Sequence, residues 1–241
     1  MSEMTIALVT GANKGIGYEI AAGLGALGWS VGVGARDPQR RDAAVEKLRA
    51  NGVDAFGVPL DVTDDASVAA AAALVEERAG RLDVLVNNAA ITGGVPQEPT
   101  TVDPATIRTV LETNVLGVVR VTNAMLPLLR RSASPRIVAM SSGVGSLTRQ
   151  TDPAGEVGPI SAAYAPSKTM LNAVLIQYAK ELRGTNILIN AACPGYVATD
   201  LNGPRGTRTP EQGAAIAIRL ATLPDDGPTG GFFEDAGVVP W

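Results

Sequence analysis

Short runs of consecutive apolar residues alternate along this chain with longer stretches in which apolar positions recur at helical spacing. Thr5 to Val9 is apolar nearly throughout, which predicts a strand buried on both faces. A glycine-rich turn and a helix to about Leu27 follow it. Ser30 to Ala35 predicts the second strand, Pro38 to Ala50 a charged helix, and Ala55 to Leu60 the third strand. Asp64 is placed to cap an alanine-rich helix ending at Ala79. Leu82 to Asn87 reads as strand four, Pro104 to about Leu129 as one long helix, and Arg136 to Met140 as strand five. A helix from about Ala162 to Arg183 stops at Gly184, a natural left-handed terminator. Asn186 to Ala192 is the sixth strand, Pro210 to Leu223 the last helix, and Phe232-Phe233 a short seventh strand. Strands this apolar, separated by helices, predict an α/β fold: one doubly wound parallel sheet of about seven strands with helices on both faces. Thr148 to Ile160 and Asn202 to Thr209 read as irregular loops at the carboxyl ends of strands, where open sheets of this kind bind ligands.

Composition narrows the chemistry. With 241 residues, 46% of them hydrophobic, and neither repeat nor linker, the chain reads as one domain over residues 1–241. A net charge of −4 without a basic run argues against nucleic acid as a partner. No apolar run is long enough for a membrane span and no secretion pattern is evident, so a cytoplasmic protein without membrane contact is expected. The single cysteine, Cys193, allows no internal disulfide and reads as a small core residue. There is no histidine at all, so an ordinary zinc site is excluded and no metal is expected. Chemistry is left to hydroxyls, amines, carboxylates, amides or an organic cofactor.

Thr10 to Gly17 joins the first strand to its helix. Gly11 permits the tight turn, Gly15 lets backbone approach a pyrophosphate, and Gly17 lets helix and strand pack closely. The helix N-terminus offers free N–H groups to an anion. A Rossmann-type dinucleotide site is therefore expected, in the spacing Gly-x-x-x-Gly-x-Gly. Arg36 follows the second strand where a carboxylate would select NAD(H), and Lys14 adds a second cation; together they favour the extra phosphate of NADP(H) over NADH. Asp37 lies off the strand end. Asp61 and Val62, after the third strand, are placed to meet the adenine, although Asp61 is equally suited to capping a turn.

Tyr164 and Lys168 stand one helical turn apart and project from one face. Pro166 requires the helix to begin near Tyr164, which sets the tyrosine at the helix mouth. A cation beside the phenol would lower its pKa from about 10 towards 7 or 8. Asn114, a poor helix former, sits among Leu111, Val115 and Val118, which points to a buried amide with a task.

These pieces occur in one order: the Gly11/Gly15/Gly17 turn, Asn87-Asn88-Ala89-Ala90, Asn114, Ser141-Ser142, Tyr164-x-x-x-Lys168 and Pro194-Gly195. In that order and spacing the chain resembles the classical short-chain dehydrogenase/reductase family over nearly its full length. Through the Asn13-Lys14 pair, Ala35-Arg36-Asp37 and the tail to Trp241 it is most similar to the NADPH-dependent carbonyl reductases. The resemblance implies reduction of a ketone or aldehyde with NADPH and a catalytic set of Asn114, Ser142, Tyr164 and Lys168. Tyr164 would protonate the carbonyl oxygen, Ser142 hydrogen-bond it, Lys168 lower the phenol pKa and bind the nicotinamide ribose, and Asn114 hold a relaying water. It further implies cofactor contacts from Ile16, Asn87 to Ala89, and Pro194, Gly195, Val197 and Thr199. A non-catalytic NADP(H)-binding sensor and a polyketide or acyl-carrier ketoreductase are the alternative readings.

The 22-residue separation of Ser142 and Tyr164 exceeds the common family spacing, so an insertion falls within Thr148 to Ile160. Such an insertion beside the tyrosine helix leaves monomer, dimer and tetramer open. Val144, Leu147, Ile160, Tyr196 and Trp241 suggest an apolar lining for a small-molecule carbonyl substrate, and the brief Asn202 to Thr209 segment an open site.

Overall fold

Five consecutive buried residues, Ile6–Thr10, form β1 near the middle of the sheet in the computed structural model, which describes residues 4–94, 97–155 and 158–241. After it come α1 (Gly15–Ala26), β2 (Ser30–Ala35), α2 (Pro38–Ala50), β3 (Ala55–Pro59), α3 (Asp65–Ala79) and β4 (Val84–Asn87). The second half contributes α4 (Pro104–Leu111), a π-helical turn (Glu112–Leu116), α5 (Gly117–Leu129), β5 (Arg136–Met140), α6 (Leu147–Gln150) and α7 (Tyr164–Glu181). β6 (Leu188–Ala192), α8 (Pro210–Ala221), β7 (Phe232–Glu234) and β8 (Gly237–Val238) complete the order. The sheet runs β3-β2-β1-β4-β5-β6-β7-β8, parallel through β7 and antiparallel only at β8.

Side-chain alternation explains the two covering layers. Ala7 and Val9 of β1 pack with Ile20 and Leu24 of α1, Leu48 of α2, and Ile216 and Leu220 of α8. Leu8, on the opposite face, joins Val68 and Val75 of α3, Met125 of α5, and Leu171 and Leu175 of α7. Local chemistry sets the helix starts: Asp37, Asp64, Asp103 and Thr209 each accept a backbone N–H as N-cap.

Three features depart from the expected pattern. The long helix from Pro104 is interrupted at Glu112–Leu116, where the Gly117 N–H reaches back five residues to the Glu112 carbonyl. Gly117 lies so close to the loop after β3 that a Cβ there would fall 2.8 Å from Val62 Cγ2. An eighth strand of two residues closes the sheet beside β7. Finally, the insertion read as irregular contains the one-turn helix α6; its Glu156 and Val157 lie outside the described residues. Among the described residues no helix is long and apolar enough to cross a membrane.

Candidate active site

Strand order reverses on either side of β1 and β4, and a cleft of about 720 Å³ opens at their carboxyl ends. Gly11, Asn13, Lys14, Gly15, Ile16 and Gly17 line it. Gly11 and Gly15 hold φ of 65° and 57°, the left-handed region that glycine adopts without strain. Gly17 has a different reason from the one expected: a Cβ there would sit 2.4 Å from Asn88 Nδ2 and 2.5 Å from the Gly11 carbonyl. Asn88 Nδ2 donates to the Thr10 carbonyl at 2.9 Å, and the Asn88 and Ala89 amides both donate to Thr10 Oγ1 at 2.9 Å. The segment after β4 thus clamps the glycine turn. No side chain caps α1, so its first N–H groups, lining the cleft, are available to an anion. This donor set, with glycines where side chains would fill the space, fits a dinucleotide pyrophosphate.

Arg36, exposed after β2, lines the same cleft together with Arg40. Lys14 Nζ is engaged by Asp200, at 2.6 Å, across the cleft from the loop after β6. Asp37 is consumed as the cap of α2. Asp61 and Val62 line the cleft, and Asp61 also caps its own turn through Thr63 N and Oγ1 at 2.9 and 2.7 Å. Those bonds hold its carboxyl below the usual range, and Arg36 adds a smaller attraction. Ala89 faces the cleft, but Asn87 does not line it: its side chain is buried and donates to Thr122 Oγ1 at 3.0 Å. Asn88, its neighbour, takes the position at the cleft wall.

None of the four residues of the expected catalytic set lines this cleft; they gather beside it, joined to its wall where Asn114 bonds Ile91. Ser142 follows β5, and its side chain lies near the phenol of Tyr164, the first residue of α7. Lys168 Nζ lies 5.6 Å from the Tyr164 ring centre and donates to the Met140 carbonyl at 2.7 Å. Asn114, in the π-helical turn, accepts from Ile91 N and donates to Ile91 O, both at 2.9 Å, and donates to Ser167 Oγ at 3.0 Å. The phenol is not drawn down towards 7 or 8. Burial pushes Tyr164 up to about 12 against the opposing influence of Ser142, and pushes Lys168 down to about 8. Burial is the largest cause of both shifts, and the Lys168 ammonium is turned to the Met140 carbonyl and not to the phenol oxygen.

Pro194 is buried and Gly195 adopts φ of 76° beside Arg208. Val197 is buried and bridges to Arg208, whereas Thr199 lines the cleft opposite Gly15. Asn202 bonds both Val197 O and Thr199 N, so this segment is folded back on itself. Leu147, Ile160 and Tyr196 are exposed, but Trp241 is not part of an apolar lining: it stacks on buried Phe232 at 5.5 Å. Its carbonyl accepts from Thr148 N at 3.0 Å, and Arg149 of α6 pairs with Glu234 at 2.7 and 2.9 Å. Burial raises the pKa of Cys193, as suits a core thiol.

The sequence profile of the short chain dehydrogenase family matches residues 5–209. Short-chain dehydrogenase/reductase 1 of Saponaria officinalis is 33% identical, with 100% of this chain and 97% of the relative aligned. The NADPH carbonyl reductase 1 of Mus musculus is 34% identical, over 100% and 99% of the two chains. Among solved structures, the NADPH-bound carbonyl reductase from chicken fatty liver superposes with a TM-score of 0.86 at 30% identity, covering 99% of each chain.

Proposed function

The chain belongs to the short-chain dehydrogenase family and is similar to its carbonyl reductases, and on that premise we propose that it reduces a ketone or aldehyde to an alcohol with NADPH. The observation that carries the reading is the placement of Ser142 by Tyr164 at the start of α7, with Lys168 one turn on, joined through Asn114 to Ile91 on the wall of a cleft that fits a dinucleotide. The glycine turn and the uncapped start of α1 would hold the pyrophosphate, and Arg36, Arg40 and Lys14 the additional phosphate. When bound, NADPH supplies the hydride that the carbonyl carbon accepts.

The chain's own residues supply orientation and a proton. Ser142 donates a hydrogen bond to the carbonyl oxygen, where negative charge develops, and Tyr164 delivers the proton there. A phenol near 12 stays protonated at every physiological pH, the state a proton donor needs. An ammonium near 8 is the stronger acid of the two, so Lys168 favours return of a proton to the phenol after turnover. Asn114 holds the segment at Ile91 against Ser167 and so keeps the catalytic side of the cleft in place.

The test is NADPH oxidation against a panel of ketones, quinones and aldehydes, with wild type and Tyr164→Phe. Wild type should reduce part of the panel and Tyr164→Phe should lose at least about 100-fold in kcat, the scale of general acid catalysis. Full activity in Tyr164→Phe would remove the phenol as donor. Binding of NADPH without reduction of any carbonyl would favour a sensor.

A further inference from the structure

Gln97 belongs to none of the motifs above, yet it is 3% exposed and both ends of its amide are engaged. Its Nε2 donates to the Thr92 and Gly94 carbonyls at 2.6 and 2.7 Å. Its Oε1 accepts from Ser161 Oγ at 2.9 Å, Ala163 N at 3.0 Å and Tyr164 N at 3.3 Å. Its backbone carbonyl also accepts from Ala162 N at 3.1 Å.

The need for these bonds lies in α7. A helix start leaves several N–H groups without partners, and a side chain at the N-cap ordinarily accepts one of them. Here the N-cap is Ala163, whose methyl group has nothing to offer. Ala165 N reaches Ser161 O at 3.2 Å, Ser167 N reaches Ala163 O at 3.2 Å, and Pro166 has no N–H. The donors that remain, on Ala163 and Tyr164, both go to Gln97.

The opposite side of Tyr164 is held from the same stretch of chain. Its carbonyl accepts from Ser167 Oγ at 2.6 Å; that hydroxyl accepts from Asn114, whose amide brackets the peptide groups of Ile91. The backbone of Tyr164 is thereby fixed at its N–H and its C=O to the segment that follows β4.

We infer that Gln97 is a positioning residue for Tyr164, a helix cap supplied from 67 residues upstream that fixes where the phenol meets Ser142. This rests on the reading of Tyr164 as proton donor. Gln97 does not line the dinucleotide cleft, so its loss should act on turnover and not on cofactor affinity. Displacements of about 1 Å at a reacting group cost on the order of 100-fold in rate, and a cap is what prevents them here.

The experiment measures kcat, substrate KM, NADPH Kd by fluorescence and thermal unfolding for Gln97→Leu and Gln97→Glu. Each is made in the wild-type and in the Tyr164→Phe background. Gln97→Leu should lower kcat by about 10- to 100-fold with NADPH Kd within about two-fold of wild type. Gln97→Glu keeps an acceptor for the two N–H groups but replaces the donor to Thr92 and Gly94 with a second acceptor, so it too should lower kcat, and only where Tyr164 is present. In the Tyr164→Phe background, Gln97→Leu should cost nothing further, because the group it positions is gone. The inference is overturned if either variant lowers the residual rate by the same factor in both backgrounds. Should Gln97→Leu fail to fold, Gln97→Glu alone completes the cycle: a loss confined to the wild-type background supports the cap, and an equal loss in both overturns it. Full activity in Tyr164→Phe by itself sinks the proton-donor reading, and is legible before any Gln97 variant is scored.

Discussion

Lys168 is required to carry charge at a place that disfavours charge. Its side chain is almost wholly buried, and desolvation brings its pKa down from the usual lysine value to about 8. The charged form is therefore present below about pH 8 and is lost as pH rises through that value. Tyr164, near 12, does not change state in this window. The rate of carbonyl reduction should accordingly decline above an apparent pKa near 8, and a flat profile to pH 10 would show that the charge on Lys168 is not needed. Lys14 poses a different conflict, since one ammonium must choose between Asp200 and a phosphate. Asp200→Asn should tighten NADPH binding a few-fold and leave NADH unchanged, read by titration of cofactor fluorescence. Equal affinity of wild type and variant for NADPH would mean that the pair does not compete. Tyr164 and Lys168 could be singled out by their spacing of four and Asn114 as a poor helix former among apolar neighbours, whereas Ser142 entered only through the family resemblance. Asp200 and Gln97 were not legible, because their partners are 186 and 67 residues away. Asn88 was half legible: its motif was visible, but only the fold shows that it, and not Asn87, holds the glycine turn.

At the scale of elements, the glycine turn and the segment after β4 behave as one part. Gly17→Ala would drive a Cβ into both Asn88 Nδ2 and the Gly11 carbonyl, and the carbonyl belongs to backbone that cannot swing aside. The expected result is a loss of about 1–3 kcal/mol in urea unfolding, the usual cost of overpacking, with NADPH Kd raised at least about 10-fold as the phosphate turn distorts. Unchanged affinity with lowered stability would separate the packing from the binding. Strands and most helix starts were readable from apolar runs and capping residues. The π-helical turn was not: one extra residue in a helix leaves the apolar spacing on both sides almost intact, so Pro104 to Leu129 reads as continuous. Its effect is local but consequential, since Asn114 lies within it and Gly117 immediately after presses on Val62 at the cleft wall. The helix α6 escaped notice because four residues capped by Ser146 carry little periodicity, and its distant bonds, Arg149 to Glu234 and Thr148 to Trp241, are invisible in the sequence.

For the whole molecule, the cleft lies where the two halves of the sheet diverge, so a dinucleotide bound there touches turns from both halves. Binding to the folded state alone stabilises it by about 2.7 kcal/mol at a hundredfold excess over Kd, or about 5–10 °C for a chain of this size. NADPH should raise the unfolding midpoint by that amount, and NADH at the same concentration by less. Equal shifts would remove the cations at the cleft from cofactor choice. The sheet's outer margin deserves a separate consequence. A parallel sheet that stopped at β7 would offer a bare rail of peptide groups to any passing strand, the usual opening for aggregation. β8 occupies that rail, and being two residues long it presents almost none of its own. At this margin, with β3 at the other, guarding against stray strand pairing falls to Gly237 and Val238, which by sequence look like nothing more than a tail.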